Sequence, residues 1–82
     1  MKKFLVQKNI DGEIFPRLMS ENELIDYISM DDCHNEDYAI FDCSSFGEVR
    51  EVHYAGWRPG GLIEIIDKKR DVVVLKGYGE EH

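Results

Sequence analysis

The chain has 82 residues, of which 43% are hydrophobic and 33% are charged, and its net charge is −7 at pH 7. This length predicts a single domain over residues 1–82, because two cores would need more apolar side chains than the chain carries. An enclosed catalytic cavity would compete with that core for the same side chains, so we expect a non-enzymatic protein. The apolar residues are grouped in short runs, which excludes a disordered chain.

The negative charge is concentrated in one stretch of the chain. Residues 11–37 carry nine carboxylates and one cation, Arg17, whereas the remainder sums to +1. Acidic surface repels phosphate backbones, so we expect no duplex nucleic acid as a partner. We interpret the acidic stretch as a solvated surface that keeps the protein soluble.

Targeting signals and cysteines bear on the location of the protein. The apolar runs are far shorter than the roughly 20 residues that cross a bilayer, so no membrane segment is expected. Residues 1–3 lead into only three apolar residues, which does not resemble a signal peptide. Without such a signal, Cys33 and Cys43 are expected to be reduced thiols and not a disulfide. These features predict a cytoplasmic protein.

The first local signal is a β-hairpin. Asp11 and Gly12 separate two strand-like segments, residues 4–10 and 13–18. An Asp-Gly pair tolerates the two positive φ angles of a type I′ turn. Pro16 has no amide hydrogen to donate, so the second segment should be an edge strand or end near that residue.

A helix is predicted after this hairpin. Ser20 and Glu23 have the spacing of a capping box, in which each side chain accepts a hydrogen bond from the backbone amide of the other residue. Leu24 and Ile28 then mark an apolar stripe at helical spacing. Helical character should end after Met30, where an acidic loop follows.

The rest of the chain predicts four more strands. Their element order, β-β-α-β-β-β-β with short connections, requires antiparallel pairing. We therefore predict an α+β fold with a twisted sheet of five or six antiparallel strands and one helix on one face. The alternative is a small, partly open β-barrel capped by the helix. The predicted segments are the loop 31–37, strands 38–43 and 49–55, and the hairpin of 62–66 with 72–75 around the charged loop 67–71.

One helix cannot cover both faces of such a sheet. Apolar residues on the uncovered face must then be protected by curling of the sheet or by a partner chain.

Residue types suitable for metal binding or catalysis are present without the spacing that such sites need. Zinc sites usually present ligands in close pairs, a pattern that Cys33, His34, Cys43 and His53 lack. A thiol and an imidazole also need a third, orienting group for catalysis, and none is recognisable. The glycines at 60–61 precede a strand and not a helix, which favours a turn over a phosphate loop. We expect no metal, no cofactor and no catalytic residue.

The remaining candidate site is a cationic and aromatic segment. Its five residues combine the types that are enriched at binding hot spots: Arg50, His53, Tyr54, Trp57 and Arg58. Trp57 either packs the fold or anchors a ligand. We predict a small protein-interaction module that uses this segment or an exposed sheet edge or face. Its partner is another protein or a second copy of the chain. The alternative is binding of single-stranded nucleic acid or a small ligand by the same cluster.

Overall fold

The computed structural model of the chain describes residues 3–30, 38–56 and 59–79. The described residues form six strands and one α-helix, which confirms the α+β prediction and the element order. The elements are β1 (Phe4–Ile10), β2 (Glu13–Met19), α1 (Glu21–Met30), β3 (Tyr38–Ser45), β4 (Glu48–Tyr54), β5 (Leu62–Asp67) and β6 (Val73–Tyr78). The predicted loop at 31–37 lies outside the described residues.

The six strands form one sheet in the order β2-β1-β3-β4-β5-β6, and every neighbouring pair is antiparallel. The sheet has two edges, β2 and β6, so it is open and does not form the barrel of the alternative prediction. Because β2 and β3 are both antiparallel to β1, they run parallel to each other with β1 between them. α1 connects these two strands, as in a split βαβ unit.

The turns follow the predicted chemistry. Asp11 and Gly12 have φ angles of 52° and 83°, and the Gly12 amide donates to Asn9 Oδ1 at 3.1 Å. Pro16 lies within the edge strand β2, which runs on to Met19, since an edge strand needs amide donors on one side only. A 3₁₀ turn at Pro59–Gly61 precedes β5, as the Pro-Gly signal predicts.

The capping box at the start of α1 is formed as predicted. The Glu23 amide donates to Ser20 Oγ at 3.2 Å, and the Ser20 amide donates to Glu23 Oε1 at 3.3 Å. The Leu24 amide donates to the Ser20 carbonyl at 2.9 Å, which is the first hydrogen bond of the helix. Two backbone donors at the helix start are therefore satisfied by side chains.

The core lies between α1 and one face of the sheet. Leu24 and Ile65 are fully buried, and burial of such a side chain stabilises the fold by about 1.5–3 kcal/mol. Tyr27 and Tyr38 close one side of the core with an edge-to-face contact of 5.7 Å between ring centroids.

α1 has 10 residues, and no helix of the described ranges is long and apolar enough to cross a membrane.

A buried carboxylate organises the turn between β5 and β6. Asp67 is fully buried, and its Oδ1 accepts hydrogen bonds from the amides of Lys69 at 2.9 Å and Arg70 at 3.1 Å. Its Oδ2 accepts from Arg70 Nη1 at 3.0 Å. The backbone hydrogen bond from Arg70 is the main cause that lowers the pKa of Asp67, against the opposing effect of burial. The charged form of Asp67 is therefore part of the folded structure.

Candidate functional site

The sheet has one face toward α1 and one face, here called the open face, that points away from it. Phe4 and its cross-strand partner Met19 are buried, which places them on the helix side. Because side chains alternate along a strand, the adjacent row of Leu5, Leu18 and Phe41 lies on the open face. In the part of the chain that the structure describes, no helix covers this row.

The open-face positions of β1, β2 and β3 carry no charged residue, although 33% of the chain is charged. Leu18 is 54% exposed and Ile14 is 61% exposed, so apolar side chains face water there. Three strands of about seven residues cover on the order of 330 Å² in projection. Seven of the nine side chains there are apolar, and two, Gln7 and Asn9, are polar. We call these nine positions the uncharged patch: Leu5, Gln7, Asn9, Ile14, Pro16, Leu18, Ala39, Phe41 and Cys43.

The open face of β4, β5 and β6 mixes charged and apolar residues, since Ile66 lies opposite His53 and Leu62 lies opposite Tyr78. Glu51 pairs with Lys68 at 2.9 Å between Oε1 and Nζ. Glu64 lies directly opposite Lys76 in the register of β5 and β6. The open face is therefore divided into the uncharged patch and a half that carries both signs of charge.

The predicted cationic and aromatic cluster does not form one continuous surface in the described residues. Alternation along β4 places Arg50 and Tyr54 on the helix side, where Tyr54 packs against the core. His53 lies on the open face, beside the uncharged patch. Trp57 and Arg58 lie outside the described residues.

Arg50 borders a polar groove of about 490 Å³ between β4 and the β5–β6 turn. In this groove Arg70 pairs with Glu48 at 2.6 Å, and Lys68 pairs with Glu51. Arg50 Nε lies 3.7 Å from Glu48 Oε1 and makes no hydrogen bond. Lys68 and Arg70 are thus paired with carboxylates, and an anionic ligand at either cation would have to displace an existing ion pair.

The thiol and imidazole candidates do not come together. Cys43 and His53 both lie on the open face, but the register separates them by four residues along the strands, on the order of 13 Å. Such a distance excludes the hydrogen bond that would activate the thiol. Within residues 3–30, 38–56 and 59–79, no three His, Cys, Asp or Glu side chains are grouped to hold a metal ion. Cys33 and His34 lie outside these ranges.

Comparisons with protein-family models, with curated proteins and with solved structures find no match to this chain.

The uncharged patch is the feature that sequence reasoning missed. The sequence predicted that apolar residues would remain on an uncovered face, but it did not identify them. The signal was present as a lack of charge at alternating positions in three separate segments. These positions are 5, 7 and 9, then 14, 16 and 18, then 39, 41 and 43.

Proposed function

We propose that the protein is a small, non-enzymatic protein-interaction module whose contact surface is the uncharged patch. The observation that supports this is the absence of charge from nine open-face positions of a chain that is 33% charged. Protein interfaces are depleted of charge at their centre and polar at their rim. The half of the open face formed by β4, β5 and β6 supplies charged groups for such a rim on one side, where Glu51 lies directly opposite Phe41.

The size of the patch sets the strength of binding. Its projected area, on the order of 330 Å² on each partner, is well below the roughly 800 Å² per partner that a stable complex buries. Association costs about 4–15 kcal/mol in lost translational and rotational freedom. The patch alone therefore supports a weak, reversible contact, and tighter binding requires part of the β4–β6 half of the open face as well. The proposal places the protein in the cytoplasm, where a free thiol such as Cys43 stays reduced.

The alternative function, binding of an oligonucleotide or a small anionic ligand, needs accessible cations beside stacking rings. Arg50 and His53 lie on opposite faces of β4, which gives this alternative less support. Titration of Trp57 fluorescence with oligonucleotides at low and high salt tests it. Binding that weakens as salt rises would favour the alternative over the protein-interaction proposal.

A substitution in the patch tests the proposed function. Leu18→Lys places a charge on the patch at a side chain that is already 54% exposed. Phe46→Lys makes the same change of charge at a fully exposed side chain in the β3–β4 turn and is the matched control. In pull-downs from the source cell, a specific partner should be lost with Leu18→Lys and kept with Phe46→Lys.

Thermal melts should show that both variants remain folded. Equal recovery of the partner by both variants would contradict the proposal. Loss of the partner with Trp57→Ala but not with Leu18→Lys would move the contact to the cationic and aromatic cluster.

A further inference from the structure

We infer that the partner covering the uncharged patch is a second copy of this chain, an inference that rests on the proposed function. Two open faces packed against each other give four layers, with an α1 helix on each outside. Such a contact is isologous, so the same patch is used by both copies. Three properties of the open face support this choice of partner: its charge, its distance from the acidic helix and its area.

The acidic helix lies on the far side of the sheet. Glu21 and Glu23 in the first turn of α1, and the exposed Asp26 after them, are separated from the open face by the sheet itself. With layers about 10 Å apart, the two helices of a face-to-face pair lie on the order of 30 Å apart. This is several times the Debye length of about 8 Å at physiological salt. The net charge of −7 therefore opposes this contact little.

A contact made on the helix side would behave differently. It would bring the first turns of two α1 helices, with their carboxylates, close together. Like charges at short range disfavour such a pairing. The charge distribution thus selects the open face as the surface on which two acidic copies can meet.

The charges on the β4–β6 half of the open face are also compatible with those of a second copy. Glu51 and Glu64 are balanced by Lys68 and Lys76, so the half carries no net charge at neutral pH. A partner with a large net charge of one sign would gain no net electrostatic attraction from such a surface. A second copy brings equal numbers of both signs, which allows opposite charges to be placed opposite each other.

The area of the open face is close to that of a standard interface. Six strands about 20 Å long cover on the order of 600 Å² in projection. Corrugation by side chains raises the accessible area toward the roughly 800 Å² per partner of a stable complex. The uncharged patch is about half of this face, so a copy that covers the whole face uses the β4–β6 half as well.

Sedimentation equilibrium of the purified chain from micromolar to millimolar concentration tests the inference. The mass should rise with concentration from the 9.6 kDa of one chain to twice that value. Leu18→Lys acts twice in an isologous contact and should raise the dimer dissociation constant at least about a hundredfold. Phe46→Lys should behave as the unsubstituted chain. Ile14→Lys, at a patch position that is 61% exposed, should raise the dissociation constant in the same way as Leu18→Lys. Agreement of the two variants would show that the effect does not come from a local folding defect at one site.

Thiol labelling gives a second measurement at the patch. Cys43 is exposed in the single chain. In a Cys33→Ser background, its alkylation should slow as the protein concentration rises. The same concentration series with Leu18→Lys added should show no slowing.

The outcomes separate this inference from the proposed function. A chain that stays monomeric while Leu18→Lys still loses a cellular partner overturns the self-association and leaves the proposed function standing. A dimer that Leu18→Lys and Ile14→Lys do not weaken overturns the inference, because the copies then meet elsewhere. If the chain stays monomeric and neither Leu18→Lys nor Ile14→Lys changes its binding to a cellular partner, the inference and the proposed function are both overturned.

Discussion

Removal of the Ser20 hydroxyl should destabilise the protein by about 1 kcal/mol. The hydroxyl accepts the Glu23 amide at 3.2 Å, and this amide is partly buried, so water replaces the lost acceptor incompletely. Ser20→Ala also frees the Glu23 carboxylate from the position in which it accepts the Ser20 amide at 3.3 Å. For a domain of 82 residues this loss corresponds to a fall in melting temperature of about 4–8 °C.

Urea unfolding followed by circular dichroism measures this effect. Ser20→Asp should restore most of the lost stability, because its carboxylate accepts the same amide and interacts favourably with the helix dipole. Ser45→Ala, at an exposed position at the end of β3, is the control and should change the free energy of unfolding little. If Ser20→Ala matched Ser45→Ala within error, the reciprocal hydrogen bonds would contribute no net stability and the reasoning would be refuted.

Three further predictions concern the fold. The stabilisation from the Asp67 carboxylate is present above the ordinary pKa of about 3.9 and is lost as pH falls through its lowered folded pKa. In a plot of unfolding free energy against pH, Asp67→Asn should therefore reduce the slope at acidic pH. An unchanged slope would contradict this. A Cβ at Gly79 would lie 2.8 Å from Ser29 Cβ, so Gly79→Ala should cost about 1–3 kcal/mol. Gly77→Ala should cost less, since its Cβ would come no closer than 3.1 Å to a side-chain atom of Ile25. The reverse order in urea melts would show that the β6 end is packed differently. Melts with chelator or with reductant should coincide with the untreated melt, and a large fall with either would reveal a structural metal or disulfide.

The features that sequence analysis predicted correctly are those set by neighbours in the chain. The Asp11-Gly12 turn and the Ser20–Glu23 cap depend on residues one to three positions apart, and both are formed. The position of β1 between β2 and β3 depends on pairing across more than thirty residues, for example Val6 with Ile40, and no local pattern encodes it.

The sequence also did not show which face of the sheet α1 covers, for a related reason. β1 has apolar residues on both faces, with Phe4 and Val6 on one and Leu5 on the other, so its pattern does not tell which side α1 covers. The structure buries Phe4 and Val6, which leaves Leu5 in the uncharged patch. The predicted cluster at Arg50 and His53 relied on closeness in sequence, whereas residues of opposite parity on a strand point to opposite faces.

The strand order has a consequence for how the chain folds. Every pairing in the sheet joins strands consecutive in the chain, apart from that of β1 with β3. Pairing Val6 with Ile40 closes a loop of about 34 residues, which costs on the order of 3 kcal/mol in chain entropy. The β1–β2 hairpin and the β3–β6 meander can each form through short loops before this cost is met. The pairing of β1 with β3 is therefore the step at which two locally folded halves become one cooperative domain. Substitutions in these paired residues should slow folding most.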